Sequence, residues 1–273
     1  MRPIRSSTRI MPERARTMKR FVLVHGSHSG AWIWDPVAAI LSGRGHAVQA
    51  TDLAGYGANR DVAPSLDANV ALIRRALAAA PEPALLVGHS MGGALAAQAA
   101  CSVPASVLGI AYIAAFVPRD GEAIQDIARR DRESWVPGRR RLADRGRLAM
   151  LDEDSCREIF LHGLERGLAE RLAARFAPDP TGVGLEAIRL DETQLCAISS
   201  FYVECRRSRG VSLAFQREMQ AVRPLAGTVS LDAGHCAMLE APEALAGALE
   251  SFFAAAQSRR NFREEERPCM ATR

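Results

Sequence analysis

The serine at position 90 stands where an apolar run, a tight turn and a helix start follow one another within twelve residues. Residues 85–87 are Leu-Leu-Val, residues 88–92 read Gly-His-Ser-Met-Gly, and an Ala-rich segment follows. This pattern is typical of a nucleophile elbow, in which the residues two before and two after the serine must lack colliding side chains. Gly88 and Gly92 meet that demand. We therefore predict that Ser90 is a nucleophile.

A serine nucleophile needs a general base, and His235 is the candidate among the six histidines. It follows the last predicted strand on a Gly-containing turn and comes after Ser90 in chain order, so the turn can bring its imidazole to the elbow. We predict that Ser90 and His235 act as a nucleophile and base pair. His25 and His89 are interpreted as residues that hold their own loops by hydrogen bonds.

A second loop of interest follows the first predicted strand, where residues 25–30 read His-Gly-Ser-His-Ser-Gly. In an architecture with an elbow, this loop supplies one backbone N–H of an oxyanion hole, and the residue after the nucleophile supplies the other. The predicted donors are the main-chain N–H groups of Ser27 and Met91. Their side chains need no particular chemistry.

The six cysteines are scattered without a Cys-x-x-Cys or a His/Cys metal spacing. This predicts free thiols in a reducing compartment, and thus a cytoplasmic location. Cys236, beside His235, is interpreted as a small packing residue. We predict no metal ion and no cofactor. The expected partner is a small-molecule substrate, with neither nucleic acid nor membrane, and the oligomeric state is left open with a homodimer as one option.

Composition fits a globular enzyme of 273 residues, with 48% hydrophobic and 24% charged side chains. Residues 1–20 hold seven basic side chains and one acid, so the rest of the chain is near neutral. We predict a disordered basic leader over residues 1–19, with Met18 as an alternative start, and a disordered tail over residues 258–273. No apolar run reaches the roughly 18 residues of a membrane-spanning helix.

Strand and helix patterns alternate along the chain, which predicts a mostly parallel central sheet with helices on both faces. The predicted strands are residues 20–25, 47–52, 84–88, 107–116, 200–205 and 227–231. The predicted helices are residues 32–44, 66–80, 92–100, 213–220 and 242–256. The core is assigned to residues 20–118 and 196–257. The charged stretch between them, residues 119–195, is interpreted as an inserted helical lid over the carboxyl edge of the sheet.

Several of these stretches together resemble the α/β-hydrolase fold over roughly residues 20–256. They are the loop with Trp32 and Trp34, the run Gly-His-Ala-Val-Gln-Ala-Thr-Asp-Leu at 45–53, the elbow, Ala-Phe-Val-Pro at 115–118 and Asp-Ala-Gly-His at 232–235. More narrowly, they resemble the branch that contains plant methyl esterases, hydroxynitrile lyases and bacterial esterase relatives. One fold hosts several reactions in this branch, so the resemblance implies the fold more than the reaction.

The chain departs from this family at the catalytic acid. Relatives carry Tyr, an apolar residue, any residue, Cys, two variable residues and then Asp, whereas residues 202–208 here read Tyr-Val-Glu-Cys-Arg-Arg-Ser. Ser208 therefore stands in the acid's position, and a second position used by some hydrolases is about Ala114. Either Ser208 orients His235 as a neutral partner, or Asp120 or Glu204 reaches the imidazole from an unusual direction.

Three functional interpretations follow. The leading one is a carboxylesterase-like serine hydrolase that acts on an ester or acyl bond of a small, mainly apolar molecule, with a triad that lacks the usual Asp. The first alternative is a biosynthetic cyclase or lyase in which the Ser-His pair transfers protons without an acyl intermediate. The second alternative is a non-catalytic, ligand-binding homologue.

Overall fold

A six-stranded parallel sheet lies at the centre of the computed structural model, which describes residues 18–265. Its strands are β1 (Arg20–Val24), β2 (Ala47–Thr51), β3 (Ala84–His89), β4 (Val107–Ile113), β8 (Ser199–Cys205) and β9 (Gly227–Leu231). Their order is β2-β1-β3-β4-β8-β9, and every neighbouring pair is parallel. The predicted fold class is confirmed.

Side chains of the inner strands alternate between two hydrophobic cores, one on each face of the sheet. In β1, Val22 and Val24 belong to one core, whereas Phe21 and Leu23 belong to the other. Successive side chains of a strand point to opposite faces, so a strand covered on both sides must be apolar at every position. The continuous apolar runs in the sequence therefore mark the inner strands.

Helices cover both faces of the sheet. Those outside the lid are α1 (Asp35–Gly43), α2 (Leu66–Ala78), α3 (Met91–Ser102), α10 (Leu213–Gln220), α11 (Ala237–Glu240) and α12 (Pro242–Glu265). The start of α2 is fixed by Ser65, whose hydroxyl accepts the Ala68 N–H at 3.0 Å. Among residues 18–265, no helix has the length and apolar character needed to cross a membrane.

Two elements of the structure differ from their predicted bounds. The predicted helix over residues 32–44 is a short 3-10 turn, Ala31–Trp34, followed by α1, which has Pro36 in its first turn. The strand predicted to reach residue 116 ends at Ile113, because Ala114 takes a positive φ of 41° and turns the chain out of the sheet.

The segment between β4 and β8, predicted to be a lid, contains short helices and strands. They are α4 (Ile124–Arg130), α5 (Val136–Arg139), β5 (Arg141–Ala143), β6 (Leu148–Met150), α6 (Glu153–Phe160), α7 (Arg166–Ala173), β7 (Asp179–Pro180), α8 (Thr181–Leu185) and α9 (Glu192–Ala197). Strands β5, β6 and β7 form a small antiparallel sheet, which the prediction of a helical lid missed. These strands hold only two or three residues each, too few for an alternating pattern.

The predicted termini need correction where the structure describes them. Residues 1–17 of the predicted leader and residues 266–273 of the predicted tail lie outside the described residues. Lys19, assigned to the leader, is tied to the core, since its carbonyl accepts the Ala47 N–H at 2.8 Å. Helix α12 continues eight residues past the predicted boundary at 257, because residues 258–265 contain no Pro or Gly to stop it.

The buried guanidinium of Arg20, at the start of β1, caps the carboxyl end of α2. It donates to the carbonyl of Ala76 at 2.6 Å, of Leu77 at 2.9 Å and of Glu82 at 2.9 Å. The last carbonyls of a helix have no intrahelical partner, so a cation there satisfies them and interacts favourably with the helix dipole.

We expect Arg20→Met to lower the free energy of unfolding by about 2 to 3 kcal/mol, because it leaves buried carbonyls without donors. Arg74→Met is the matched control, since Arg74 is exposed on the same helix, and it should change stability by less than about 0.5 kcal/mol. Chemical denaturation followed by circular dichroism measures both. Equal stabilities of the two variants would contradict the capping role.

Candidate active site

The turn between β3 and α3 holds Ser90 in a strained backbone conformation, with φ 52° and ψ −122°. The turn is pinned by the Ser90 N–H, which donates to the Ile113 carbonyl at 3.2 Å. It is also tight. A Cβ on Gly92 would lie 2.4 Å from the His25 carbonyl oxygen, and one on Gly88 would lie 2.6 Å from the Gly92 oxygen. The chain thus needs glycine at both positions to present Ser90 at the tip.

A cavity of about 320 Å³ lies beneath the lid, over the carboxyl ends of the central strands. Ser27, Ser90, Met91 and His235, the four residues predicted to do the chemistry, all line it. They come from three separate loops, after β1, β3 and β9. The parallel sheet brings these loops together because all its strands end at the same edge.

The imidazole of His235 is buried, and its partner is a hydroxyl. Its Nδ1 lies 3.0 Å from the Oγ of Ser208, which also accepts the Val211 N–H at 3.2 Å. Gly210 packs against the ring, and a Cβ there would lie 2.7 Å from the imidazole Cγ. Ser208 follows β8, the neighbour of β9, so both residues start from adjacent strand ends.

The two carboxylates considered from the sequence are engaged elsewhere. Asp120 accepts the Leu190 N–H at 2.8 Å, and Glu204 accepts from Arg217 and Gln220 on α10. Within residues 18–265, no carboxylate oxygen forms a hydrogen bond or ion pair with the His235 imidazole. The neutral-partner alternative, Ser208, is therefore the one that matches the geometry.

Burial keeps the imidazoles of this region neutral. The pKa of His235 is lowered well below its ordinary value, chiefly by burial and further by the nearby His89 and His162. Burial also lowers the pKa of His89 to about 4. His89 Nε2 donates to the His235 carbonyl at 3.0 Å, so it holds the loop of the candidate base rather than its own loop, for which it was predicted.

Hydrogen bonds fix the peptide whose N–H belongs to Ser27. The Gly26 carbonyl, on the other side of that peptide, accepts from His25 Nδ1 at 2.7 Å and from the Ser29 hydroxyl at 3.1 Å. His25 Nε2 in turn accepts the Leu53 N–H at 3.0 Å. Because a trans peptide is planar, fixing its carbonyl also fixes the direction of its N–H. His25 thus holds the loop, which is the interpretation favoured from the sequence.

The cavity wall beside Ser90 is mainly aromatic and aliphatic. Phe160 and Phe176 stack with their ring centroids 5.2 Å apart, and Phe160 lies 5.6 Å from the His235 ring. Phe116, Ile124 and Val136 also line the cavity, as do the charged side chains of Arg129, Asp131, Arg140 and Asp179. Cys236 also lines the cavity, but burial raises the pKa of its thiol, which keeps it protonated and unreactive.

Sequence reasoning missed two buried or half-buried carboxylates that fix the loops of the site. Asp131, from the lid, accepts the Ser212 N–H at 2.8 Å and its hydroxyl at 2.7 Å. Glu240, at the end of α11, accepts the Gly234 N–H at 2.7 Å. A charged residue in a polar lid gives no sequence signal, whereas Glu240 lies five residues after His235 and could have been noticed. No group of three metal-ligating side chains occurs among the described residues.

A family model for the alpha/beta hydrolase family matches residues 21–248, and the chain belongs to that family. Among curated relatives, Methylesterase 7 of Arabidopsis thaliana is 29% identical over 253 residues, which cover 85% of this chain and 95% of the relative. This relative, together with the solved structure of a pyrethroid hydrolase that is also similar, identifies the protein as an esterase-like hydrolase.

Solved structures show the same architecture. A pyrethroid hydrolase, PytH, superimposes with a TM-score of 0.76 at 26% identity, and the match covers 86% of this chain and 97% of PytH. Polyneuridine aldehyde esterase superimposes with a TM-score of 0.77 at 19% identity, over 86% of this chain and 99% of its own. The second likeness concerns the fold alone. These comparisons confirm the resemblance inferred from the sequence.

We expect Gly92→Ala to lower the free energy of unfolding by about 1 to 3 kcal/mol, because its Cβ would collide with the β1 loop. Gly247→Ala is the matched control. Gly247 lies in α12, and a Cβ there meets no atom within 4 Å, so alanine should raise stability by about 0.5 to 1 kcal/mol. Urea denaturation tests both. A Gly92→Ala variant as stable as the wild type would contradict the tight approach at the elbow.

Proposed function

We propose that the protein is a carboxylesterase-type serine hydrolase whose base is oriented by the hydroxyl of Ser208 instead of a carboxylate. In this proposal Ser90 is the nucleophile, His235 is the general base, and the N–H groups of Ser27 and Met91 form the oxyanion hole. The observation that carries the proposal is the 3.0 Å contact between Ser208 Oγ and His235 Nδ1 beside the cavity that Ser90 lines.

The reaction follows the usual two stages of acyl transfer. Ser90 Oγ attacks the ester carbonyl carbon while its proton moves to His235 Nε2, and the oxyanion forms facing the two N–H groups. The bond between the carbonyl carbon and the alcohol oxygen then breaks, and the alcohol takes the proton from the imidazolium. Water, deprotonated by the same imidazole, attacks the acyl group and releases the acid and Ser90.

This chemistry requires the tautomer in which Nδ1 carries the proton and Nε2 is free. In that tautomer Ser208 Oγ accepts two hydrogen bonds, from Nδ1–H and from the Val211 N–H, which uses both its lone pairs. A serine hydroxyl can also donate to Nδ1, which puts the proton on Nε2 and blocks catalysis. An aspartate accepts only, so it would exclude this second tautomer.

A hydroxyl also stabilises the developing imidazolium less than a carboxylate does. Replacing the triad Asp of a well-studied protease by a neutral residue costs on the order of 10⁴ in turnover, or about 5 to 6 kcal/mol. Residual catalysis from the oxyanion hole and substrate binding is still large. We therefore infer a slow esterase rather than an inactive one.

The cavity supports a substrate class of small, mainly apolar esters. Phe116, Phe160 and Phe176 line it, and its volume of about 320 Å³ suits a compact molecule. The relatives named methylesterase and pyrethroid hydrolase agree with ester chemistry of this kind. The five described cysteines are free, which supports the proposal of a reducing, cytoplasmic location.

A second candidate function is proton transfer without an acyl intermediate, as in a cyclase or lyase. The specific observation in its favour is the neutral partner of His235, since a base that works without a carboxylate suits a reaction that builds up less charge. A non-catalytic ligand-binding role is the third candidate. Neither of these functions requires Ser90 to become acylated.

We expect a fluorophosphonate probe to label the wild type and not Ser90→Ala, since only an activated serine is phosphonylated. Hydrolysis of p-nitrophenyl acetate should fall at least about 100-fold in the same variant. Intact-protein mass spectrometry and absorbance measure the two results. Ser251→Ala is the control, because its exposed hydroxyl binds only the Gly247 carbonyl on its own helix. An unlabelled wild type with an unchanged rate in Ser90→Ala would exclude the hydrolase.

We expect Ser208→Asp to raise kcat by about 10- to 100-fold, part of what a triad aspartate supplies. Ser208→Asn is the matched control, because Asn has the size of Asp without its charge. The kcat of this variant should not exceed that of the wild type. Ser208→Ala should lower kcat by about 3- to 10-fold, the value of one neutral hydrogen bond. Steady-state kinetics with p-nitrophenyl butyrate measures all three. No gain in Ser208→Asp over Ser208→Asn would favour the proton-transfer alternative.

The pH profile of the same variants provides a second measurement. A general base works when unprotonated, so the rate falls as the pH drops through its pKa. Because burial lowers the pKa of His235, the acid limb of kcat/KM should lie below pH 6.5 in the wild type, the ordinary value for histidine. A carboxylate beside Nδ1 favours the imidazolium, so Ser208→Asp should move that limb to higher pH.

A further inference from the structure

A short lid segment, residues 177–179, is bound directly to the loop that carries Ser27. The Ala177 N–H donates to the His28 carbonyl at 2.7 Å, and His28 Nδ1 lies 3.1 Å from the Ala177 carbonyl, to which it donates. His28, which follows the candidate oxyanion donor Ser27, is therefore hydrogen-bonded to the lid through both its backbone and its side chain.

Tyr56 adds a second connection between the same two parts. Its buried hydroxyl accepts the His28 N–H at 3.2 Å and donates to the Asp179 carboxylate in the lid. Its ring meets the His25 ring edge-on, with centroids 5.0 Å apart. Burial and the nearby Asp179 charge raise the pKa of Tyr56 well above its ordinary value, so the hydroxyl keeps the proton that it donates.

His28 needs such support because its backbone is strained. Its φ of 62° lies in the left-handed region, which costs a non-glycine residue free energy unless its surroundings hold it there. Without the bonds to Tyr56 and Ala177, the loop would relax toward an ordinary φ. The Gly26–Ser27 peptide is held from one side by His25 and Ser29, so a relaxed His28 would pull on it from the other side and change the direction of the Ser27 N–H.

The same lid segment begins beside the cavity wall. Phe176, which precedes Ala177, lines the cavity and stacks on Phe160, and its ring also meets Trp32 edge-on at 5.4 Å. An apolar substrate that packs on Phe160 and Phe176 therefore touches the residue next to the one that holds His28. The position of a bound substrate and the direction of the Ser27 N–H therefore both depend on the same short stretch of chain.

We propose that Tyr56 is a positioning residue for the oxyanion hole, and that it couples the seating of lid residues 177–179 to the direction of the Ser27 N–H. This inference rests on the proposed function. Tyr56 and Asp179 should affect the stabilisation of the transition state, whose oxyanion accepts the Ser27 N–H. They should not affect the binding of the ground-state substrate.

The test is Tyr56→Phe, with Tyr112→Phe as the matched control. Tyr112 is equally buried, but its hydroxyl has no partner among the described residues, so its removal should leave kcat unchanged. Tyr56→Phe should lower kcat for p-nitrophenyl butyrate by about tenfold, a fraction of the 10²- to 10³-fold cost of losing an oxyanion donor. The KM should stay within about twofold, and the rate of phosphonylation of Ser90 should fall in parallel.

Asp179 gives an independent variant pair. Asp179→Asn keeps an oxygen that accepts the Tyr56 hydroxyl and should retain the wild-type kcat. In Asp179→Ala, kcat should fall by as much as in Tyr56→Phe. All rates are measured at least 15 °C below the melting temperature of each variant, so that a loss of stability alone does not lower them. An unchanged kcat in both Tyr56→Phe and Asp179→Ala, or an equal loss in Tyr112→Phe, would overturn the inference.

The outcomes also separate this inference from the proposed function. If the probe does not label the wild type at Ser90, the proposed function fails, and the inference that rests on it fails too. If the wild type is labelled and Tyr56→Phe is labelled at the same rate, only the coupling through Tyr56 is overturned. Slower labelling of Tyr56→Phe together with a normal rate for Tyr112→Phe supports it.

Discussion

The hydrogen bond between Ser208 and His235 joins the carboxyl ends of two neighbouring strands, and the proposed chemistry depends on it. Strands β8 and β9 pair along five positions, so the loops that follow them leave the sheet side by side. The sheet therefore fixes the distance between the two side chains before any lid residue contributes. What the sheet does not fix is the direction of the proton between them, because both groups can donate and accept.

Carboxylates near this hydrogen bond stabilise the backbone of the neighbouring loops and do not pair with the imidazole. Glu240 accepts the Gly234 N–H and pairs with Arg207, so it ties the loop after β9 to the loop after β8. Asp131 does the same for the loop after β8 by holding Ser212. Among the described residues, no carboxylate bonds to His235 at the position where the family resemblance expects an acid, while Glu240 and Asp131 hold the neighbouring loops.

Local patterns carried most of the prediction of the fold and site. The elbow is readable because Gly88 and Gly92 lie at fixed spacing around the nucleophile, and inner strands are readable because burial on both faces demands continuous apolar runs. The position of Ser208 followed from the family resemblance, because relatives carry Asp three residues after the Cys that Cys205 matches. These features depend on residues close together in the chain.

The rest of the site depends on contacts between distant residues. Tyr56 and Asp179 are separated by 123 positions, and neither has a neighbour pattern that marks it. The small sheet β5-β6-β7 likewise pairs segments too short to show a period. The tail prediction is wrong for residues 258–265, because a polar and charged composition does not exclude a helix and these residues contain no Pro or Gly. Sequence reasoning fails where the lid meets the core.

The neutral partner of His235 has one more consequence. The Ser208 hydroxyl and the His235 imidazole hold no ion in their resting state, so this pair brings no fixed charge to the cavity that Ser90 also lines. An apolar guest that settles against this pair strips no hydration shell from it, although the charged side chains of Arg129, Arg140 and Asp179 also line the cavity. The release of water from hydrocarbon surfaces then contributes to its association, and this contribution responds to temperature through a negative heat-capacity change.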